Sequence, residues 1–262
     1  MSRPSRSLAA MRDAAPLVQC ITNFVAMNFQ ANVLLAAGAA PAMVHDPEES
    51  GEFAAIAGAL SVNIGTLSPR WVSGMLEAAA AAGKSGTPWV LDPVACFATG
   101  LRREATSKLM QARPTILRGN ASEILAIAGE SSSGAGVDAG DSVAAAEAAA
   151  RAVAAEAGCV VAVTGAVDFV TDGERAVQVS GGSSLMPKVT ATGCSLSALC
   201  AAYAAAVEDP FDATVGALAH FAAAGEIAAG RAVGPGSFAP AFLDALASVA
   251  PETIGDDRVS AA

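Results

Sequence analysis

The sequence predicts an α/β fold: a mostly parallel sheet with helices on both faces. Three observations predict it. Short apolar, strand-like segments recur along the chain, alanine-rich helical segments separate them, and several of the apolar segments end in a polar or glycine-bearing turn. A chain of 262 residues suffices for one domain with a substantial core. No repeat of fixed period and no linker divides it, so a single domain is expected over residues 1–262, with 1–15 and 252–262 loose.

The strand-like segments are Ala42-Met43-Val44, Ser61 to Ile64, Trp89 to Asp92, Thr115-Ile116-Leu117 and Val160 to Val163. Four turns follow such segments: Gly65-Thr66, Asp92-Pro93, Arg118-Gly119-Asn120 and Thr164-Gly165. Ligands of open parallel sheets sit outside the carboxyl ends of the strands, so these four turns are expected to face one crevice. The alternation in Asp168 to Gly173 predicts a short antiparallel hairpin from Thr164 to about Val179 and hence a mixed sheet edge. Glycine and serine cluster at Ser131 to Gly136 and at Ser180 to Ser184, which marks surface loops.

Composition narrows the function. Hydrophobic residues make up 53% but aromatic ones only 5%; alanine supplies the excess and favours closely packed helices. The formal charge of −10, with no Lys/Arg run, argues against nucleic acid as a partner. The five cysteines form no CxxC pair, which fits buried, reduced thiols and a cytoplasmic protein better than a disulfide framework or a zinc site. Arg12 and Asp13 interrupt the stretch after Leu8 before a signal-peptide core could form. The uncharged helical run from Cys194 to Val207 is shorter than the roughly 20 residues of a membrane span.

The segment richest in chemistry is Thr190-Ala191-Thr192-Gly193-Cys194-Ser195, followed by helix formers from Leu196 to Val207. Small residues before a helix start gather free backbone N–H groups and the positive end of the helix dipole at one point, which is an anion site. Its plainer reading is an ordinary helix capped by Thr192.

The order of motifs resembles the hydroxyethylthiazole kinase family. The motifs run from Ile21-Thr22-Asn23-Phe24-Val25-Ala26-Met27-Asn28, through Pro41-Ala42-Met43, Asn63-Ile64-Gly65-Thr66-Leu67-Ser68-Pro69, Leu91-Asp92-Pro93-Val94, Arg118-Gly119-Asn120-Ala121-Ser122-Glu123-Ile124 and Val163-Thr164-Gly165, to Ala191-Thr192-Gly193-Cys194-Ser195 and Gly234-Pro235-Gly236-Ser237-Phe238. The resemblance covers roughly residues 16 to 250. It implies a ribokinase-like three-layer α/β/α fold, a homotrimer with active sites between subunits, and ATP- and Mg²⁺-dependent phosphorylation of the hydroxyethyl arm of 4-methyl-5-(2-hydroxyethyl)thiazole. By the same resemblance, Asn23, Val25, Met43 and Gly65, with Ala191, Gly193 and Cys194, would line the thiazole pocket. Arg118, Asn120 and Thr164 would meet the nucleotide, and Asp92 and Glu123 would hold magnesium, directly or through water.

Physical chemistry weighs these roles. Phosphoryl transfer asks for positioning and charge neutralisation, and a helix N-terminus, one arginine and one metal ion supply both. A guanidinium at the end of an apolar strand suits bidentate phosphate contact, against a surface ion pair; a Thr164 hydroxyl serves a phosphate or a turn equally well. Asp92 is better placed for hydrated Mg²⁺ than Glu123, whose spacing from Asn120 is that of a capping box. His45 and His220 read as surface or packing residues, with no triad-like context. Cys194 stands where related ribokinase-like enzymes carry an aspartate base; a helix N-terminus is expected to lower its thiol pKa, with the side chain orienting the alcohol.

Two departures qualify the resemblance. The family usually has glycine where Ala191 stands, and glycines are expected at Ala95 and Phe97; a methyl at a position needing positive φ is costly, and Phe97 would narrow the acceptor pocket. A kinase for another small hydroxylated heterocycle, or a catalytically weak thiazole-binding subunit, are therefore alternatives. A nicotinamide-dependent oxidoreductase is disfavoured because no GxGxxG follows a strand.

Overall fold

The structure is a computed structural model that describes residues 2–129 and 143–262. The loop expected at Ser131 to Gly136 lies outside the described residues. In chain order the elements are α1 (Arg3–Ala14), β1 (Leu17–Ile21), α2 (Met27–Ala37), β2 (Ala40–Ala42), α3 (Ser50–Ile56), β3 (Ala59–Asn63), α4 (Pro69–Ser85), β4 (Trp89–Asp92), α5 (Gly100–Gln111), β5 (Ile116–Asn120) and α6 (Ala121–Ile127). They continue with α7 (Val143–Ala157), β6 (Val160–Thr164), β7 (Val167–Thr171), β8 (Ala176–Ser180), α8 (Thr192–Ala204), α9 (Pro210–Arg231), α10 (Pro235–Ser248) and β9 (Val259–Ala261).

Among the described residues nine strands join one sheet in the order β2-β1-β3-β4-β5-β6-β7-β8-β9. The run from β2 to β6 is parallel, and β7, β8 and β9 add antiparallel pairings. Every residue of β3 and β4 is buried, as strands covered on both faces must be. One apolar core, with Leu8, Leu34, Leu199, Tyr203, Phe221 and Phe242, lies under α1, α2, α8, α9 and α10. The other, with Trp71, Met75, Leu109, Ile124 and Ala150, lies under α4 to α7. This is the expected three-layer arrangement, including the hairpin of β7 and β8.

Local chemistry sets the helix ends. Ser68 accepts from Trp71 N–H ahead of Pro69, and Asp209 accepts from Phe211 N–H ahead of Pro210, so α4 and α9 each start with a capping side chain and a proline. α8 is apolar on all sides and is accordingly buried from Ser195 to Tyr203.

Several boundaries differ from expectation. The first fifteen residues, expected to be loose, form α1, whose Leu8 and Met11 are fully buried; Arg12 also donates to the carbonyls of Ala37, Leu246 and Val249. The tail is held as well, because β9 pairs with β8 and Ile254 is buried. β2 ends at Ala42, so Met43 and Val44 follow the strand instead of forming it. β1 is an interior strand, paired on both sides, whose apolar run is interrupted by Gln19. That side chain is fully buried, and its amide donates to Val44 and Ser50 carbonyls.

Candidate functional site

The strand-end turns meet the start of α8. The N–H groups of Thr192, Gly193 and Cys194 have no backbone acceptor, as the first turn of a helix dictates. In front of them lies a cavity of about 670 Å³, lined among others by Thr192, Gly193, Arg118, Asn120, Thr164 and Asp168. Thr192 does not cap the helix. It is the first helical residue, its hydroxyl donates to the Val189 carbonyl, and the cap position falls on Ala191 in the left-handed region at φ 68°.

Arg118 crosses this pocket. Its guanidinium donates to the Thr164 hydroxyl, which donates in turn to the Gly119 carbonyl at 3.3 Å, and it approaches Asp92 at 3.7 Å. Its Nε is buried without a partner. Gly193 lets the guanidinium approach closely, because a Cβ there would come within 2.9 Å of it and push it aside. The arginine therefore lies directly against the helix N-terminus, and together they form a preorganised anion cradle. Asp168 Oδ1 accepts from Gly165 N–H at 2.9 Å and holds the turn that carries Thr164; burial pushes its pKa up to about 6 against the pull of that N–H and of Arg118.

Two carboxylates lie behind the arginine. Asp92 is buried, and Ser197 donates to it at 2.7 Å. Burial raises its pKa, with Arg118 opposing. Glu123 completes the capping box with Asn120, Oε2 accepting from Asn120 N–H at 2.8 Å, while Oε1 accepts from Ala95 N–H at 2.9 Å. Its pKa is raised by burial and then by the charge on Asp92. Two buried acids, one of which raises the other's pKa, suit a divalent cation, which relieves the repulsion. Among the described residues no three His, Cys, Asp or Glu side chains converge. That set fits Mg²⁺, which takes one or two carboxylates and completes its shell with water and phosphate oxygens.

Beyond Asp92, the site is built from amides. Asn23 Nδ2 donates to Asn63 Oδ1 at 2.8 Å and approaches Cys194 Sγ at 3.4 Å. Gly65 N–H donates to the same Asn63 oxygen at 2.9 Å. Gly65 is required here, since a Cβ would fall 2.7 Å from Asn23. Arg102, from α5, fastens the floor by donating to the carbonyls of Ile64 at 3.0 Å, Val94 at 2.6 Å and Gly65. Val25 is 60% exposed, beside Phe24 at 69%. Met43 is half-buried against the core under α8.

The whole chain has relatives of the same design. Residues 8–252 match the model of the hydroxyethylthiazole kinase family. The chain belongs to that family. It is 63% identical over 261 residues to a hydroxyethylthiazole kinase of Rhizobium johnstonii, covering 99% of this chain and 98% of the relative. It is 62% identical over 247 residues to one of Cereibacter sphaeroides, covering 94% of each. The structure of a hydroxyethylthiazole kinase protein from Pyrococcus horikoshii superposes with a TM-score of 0.90 at 38% identity over 99% of this chain and 98% of the other. A pyridoxal kinase from Staphylococcus aureus in complex with AMP-PCP and pyridoxal shares the ribokinase-like fold, at TM-score 0.59 and 16% identity over 82% of this chain and 89% of that one. As a hydroxyethylthiazole kinase family member, the chain is a kinase.

Within that family frame, the expectation for Cys194 changes. The Cys194 thiol pKa is raised, chiefly by burial and then by the Asp92 charge, so the thiol stays protonated at neutral pH despite its place at the helix start. Phe97 lines a groove between α5 and α7 with Cys96, Met110 and Val153. Ala95, like Ala191, does sit where glycine is favoured, at φ 49°. Both histidines have packing roles: His45 stacks on Trp71, and buried His220 bonds Tyr203. Asn63, Arg102, Asp168 and Ser197 were not singled out from sequence. Asn63 carried a signal as a polar residue ending an apolar strand; the other three become recognisable only once the chain is folded.

Proposed function

We propose that this protein transfers the γ-phosphoryl group of ATP to the hydroxyl of 4-methyl-5-(2-hydroxyethyl)thiazole in the thiamin route. The observation that carries the reading is the N-terminus of α8, whose unbonded N–H groups face a cavity crossed by Arg118, with Cys194, Asn23 and Gly65 next to it. Gly193 lines the thiazole pocket, and Arg118, Thr164 and Asn120 bind the nucleotide phosphates. Their donors are fixed before substrate arrives, so charge developing in the transition state meets dipoles that need no reorganisation. Asp92, with Glu123 through water, would hold Mg²⁺, which when bound neutralises phosphate charge. Asn23, Gly65, Ala191 and Cys194 orient the alcohol, and Val25 and Met43 supply apolar walls. The protonated thiol makes Cys194 a positioning group, and the loose transition state of phosphoryl transfer demands little deprotonation of the nucleophile.

Exposure of Phe24 and Val25 beside the acceptor site supports a homotrimer in which a neighbouring subunit closes the pocket. Five free cysteines, four of them buried, support a reducing, cytoplasmic setting. No described helix is long and apolar enough to cross a membrane. The decisive experiment is incubation with Mg·ATP and the thiazole alcohol, with detection of the phosphate ester. ATP consumption without that ester would refute the reading.

A further inference from the structure

Among the described residues one carboxylate lines the cavity in front of α8, that of Asp168 near the start of β7. An ionised acid beside an anion cradle repels phosphate, so its partner must be another part of the ligand. The strand register orders the groups along the crevice. β5 and β6 set Asn120 beside Thr164, and β6 and β7, with Val163 opposite Phe169, then bring Asp168 against Thr164. Register partners project to one face of a sheet. Here it is the face of Val170, two residues on from Asp168, which packs into the core under α8 and α9. The crevice therefore meets Arg118 and Asn120 on β5, Thr164 on β6 and Asp168 on β7 at successive strand spacings of about 4.8 Å. Past β8, Gly182 and Met186 line the far end of the same cavity with Leu218 and Phe221.

Asp168 Oδ1 accepts from Gly165 N–H at 2.9 Å, whereas Oδ2 has no hydrogen-bond partner among the described residues and is not enclosed by them. Burial lifts the pKa only to about 6, so at neutral pH the group offers lone pairs and no proton. Phosphate oxygens have nothing to donate to it. The donors of a nucleotide are its ribose hydroxyls and the amino group of its base. With the phosphates held by the start of α8, Arg118 and Thr164, the ribose, joined to the α-phosphate, comes next along the row, and the base reaches the apolar end by Leu218 and Phe221. We propose that Asp168 Oδ2 accepts hydrogen bonds from the ribose hydroxyls, which makes Asp168 a specificity-determining residue for a ribonucleotide phosphoryl donor. The inference rests on the kinase reading of this site. The bond from Gly165 fixes the carboxylate, so the open oxygen is oriented before the nucleotide enters and little freedom is lost on binding.

The test pairs a residue change with a nucleotide change. Binding of Mg·ATP and of Mg·2′,3′-dideoxy-ATP, which lacks both hydroxyls, is measured by calorimetry for the wild-type enzyme and Asp168→Ser. Serine can still accept from Gly165 N–H and keep the turn, but it has no second oxygen. The expected result is a wild-type preference of about tenfold or more for ATP that falls to about threefold or less in the variant, with affinity for the dideoxy nucleotide kept. An unchanged preference would overturn the proposal. Equal weakening of both nucleotides would overturn it too, since a residue that only holds the turn acts on both alike. So would an unchanged preference accompanied by a higher Mg²⁺ requirement, which assigns the carboxylate to a cation. If Asp168→Ser does not fold, Asp168→Asn is read in the same way, because its oxygen keeps the turn while an NH₂ group replaces the open acceptor. A wild-type enzyme that makes no phosphate ester of the thiazole alcohol removes the kinase reading and this inference together. One that makes it while the variant keeps the full preference for ATP removes the inference alone.

Discussion

Replacing Ala191 by glycine should stabilise the protein, although alanine-to-glycine changes in helices normally do the reverse. Ala191 has φ 68° and ψ 0°. An L-residue pays about 1–2 kcal/mol for the left-handed conformation, while glycine costs about 0.4–1 kcal/mol through the entropy of the unfolded chain. The balance favours Ala191→Gly by about 0.5–1 kcal/mol. At about 2–4 °C per kcal/mol for a chain of this size, the midpoint of thermal unfolding should rise by roughly 1–4 °C. Ala80, exposed in the interior of α4, is the internal control; there the same substitution should cost about 0.5–1 kcal/mol. Differential scanning calorimetry of both variants at one protein concentration reads the two signs. If Ala191→Gly lowers the midpoint as Ala80→Gly does, the left-handed cap and the strain argument built on it are both wrong.

Three further outcomes follow from the site and the core. Arg118→Lys keeps the charge but loses the planar fork between Thr164 and the helix start, so KM for ATP should rise about tenfold or more in steady-state kinetics. Cys194→Ser should lower kcat by less than about a hundredfold, because a thiol that burial keeps protonated is no general base; a larger loss at unchanged KM would make it one. His220, buried with Tyr203 O–H at 3.0 Å and the Leu246 carbonyl at 3.0 Å, has its pKa lowered by burial from 6.5 to about 4. As pH falls through 6.5 the unfolded chain takes up a proton that the folded chain refuses. Up to about 3 kcal/mol of stability present above pH 6.5 should therefore be lost between pH 6.5 and about 4, and His220→Gln should flatten that slope in urea titrations.

The parallel sheet and its crevice were legible because buried strands announce themselves as apolar runs that stop at polar turns. Trp89–Asp92 and Val160–Thr164 show this, and their ends carry Asp92 and Thr164. β1 was not legible, since a buried glutamine satisfied by two distant carbonyls looks like an exposed residue in sequence. α1 was missed for a similar reason. Its serines and arginines suggest a solvated tail, but they bond Asp212 and the α10 carbonyls far along the chain. The thiol of Cys194 shows the limit of local reasoning in energetic terms. Its neighbours in sequence argue for a lowered pKa, while its neighbours in space, an apolar interior and Asp92, argue the other way and prevail.

α8 is wedged between α2, α9 and the central strands, and its side chains are enclosed from Ser195 to Tyr203. A rod so confined has no room to tilt or slide without opening a void in the densest part of the molecule. Its electropositive tip is therefore held in a fixed position by the surrounding packing. Any opening and closing around substrates falls to peripheral segments, and the exposed Phe24-Val25 corner is one of these.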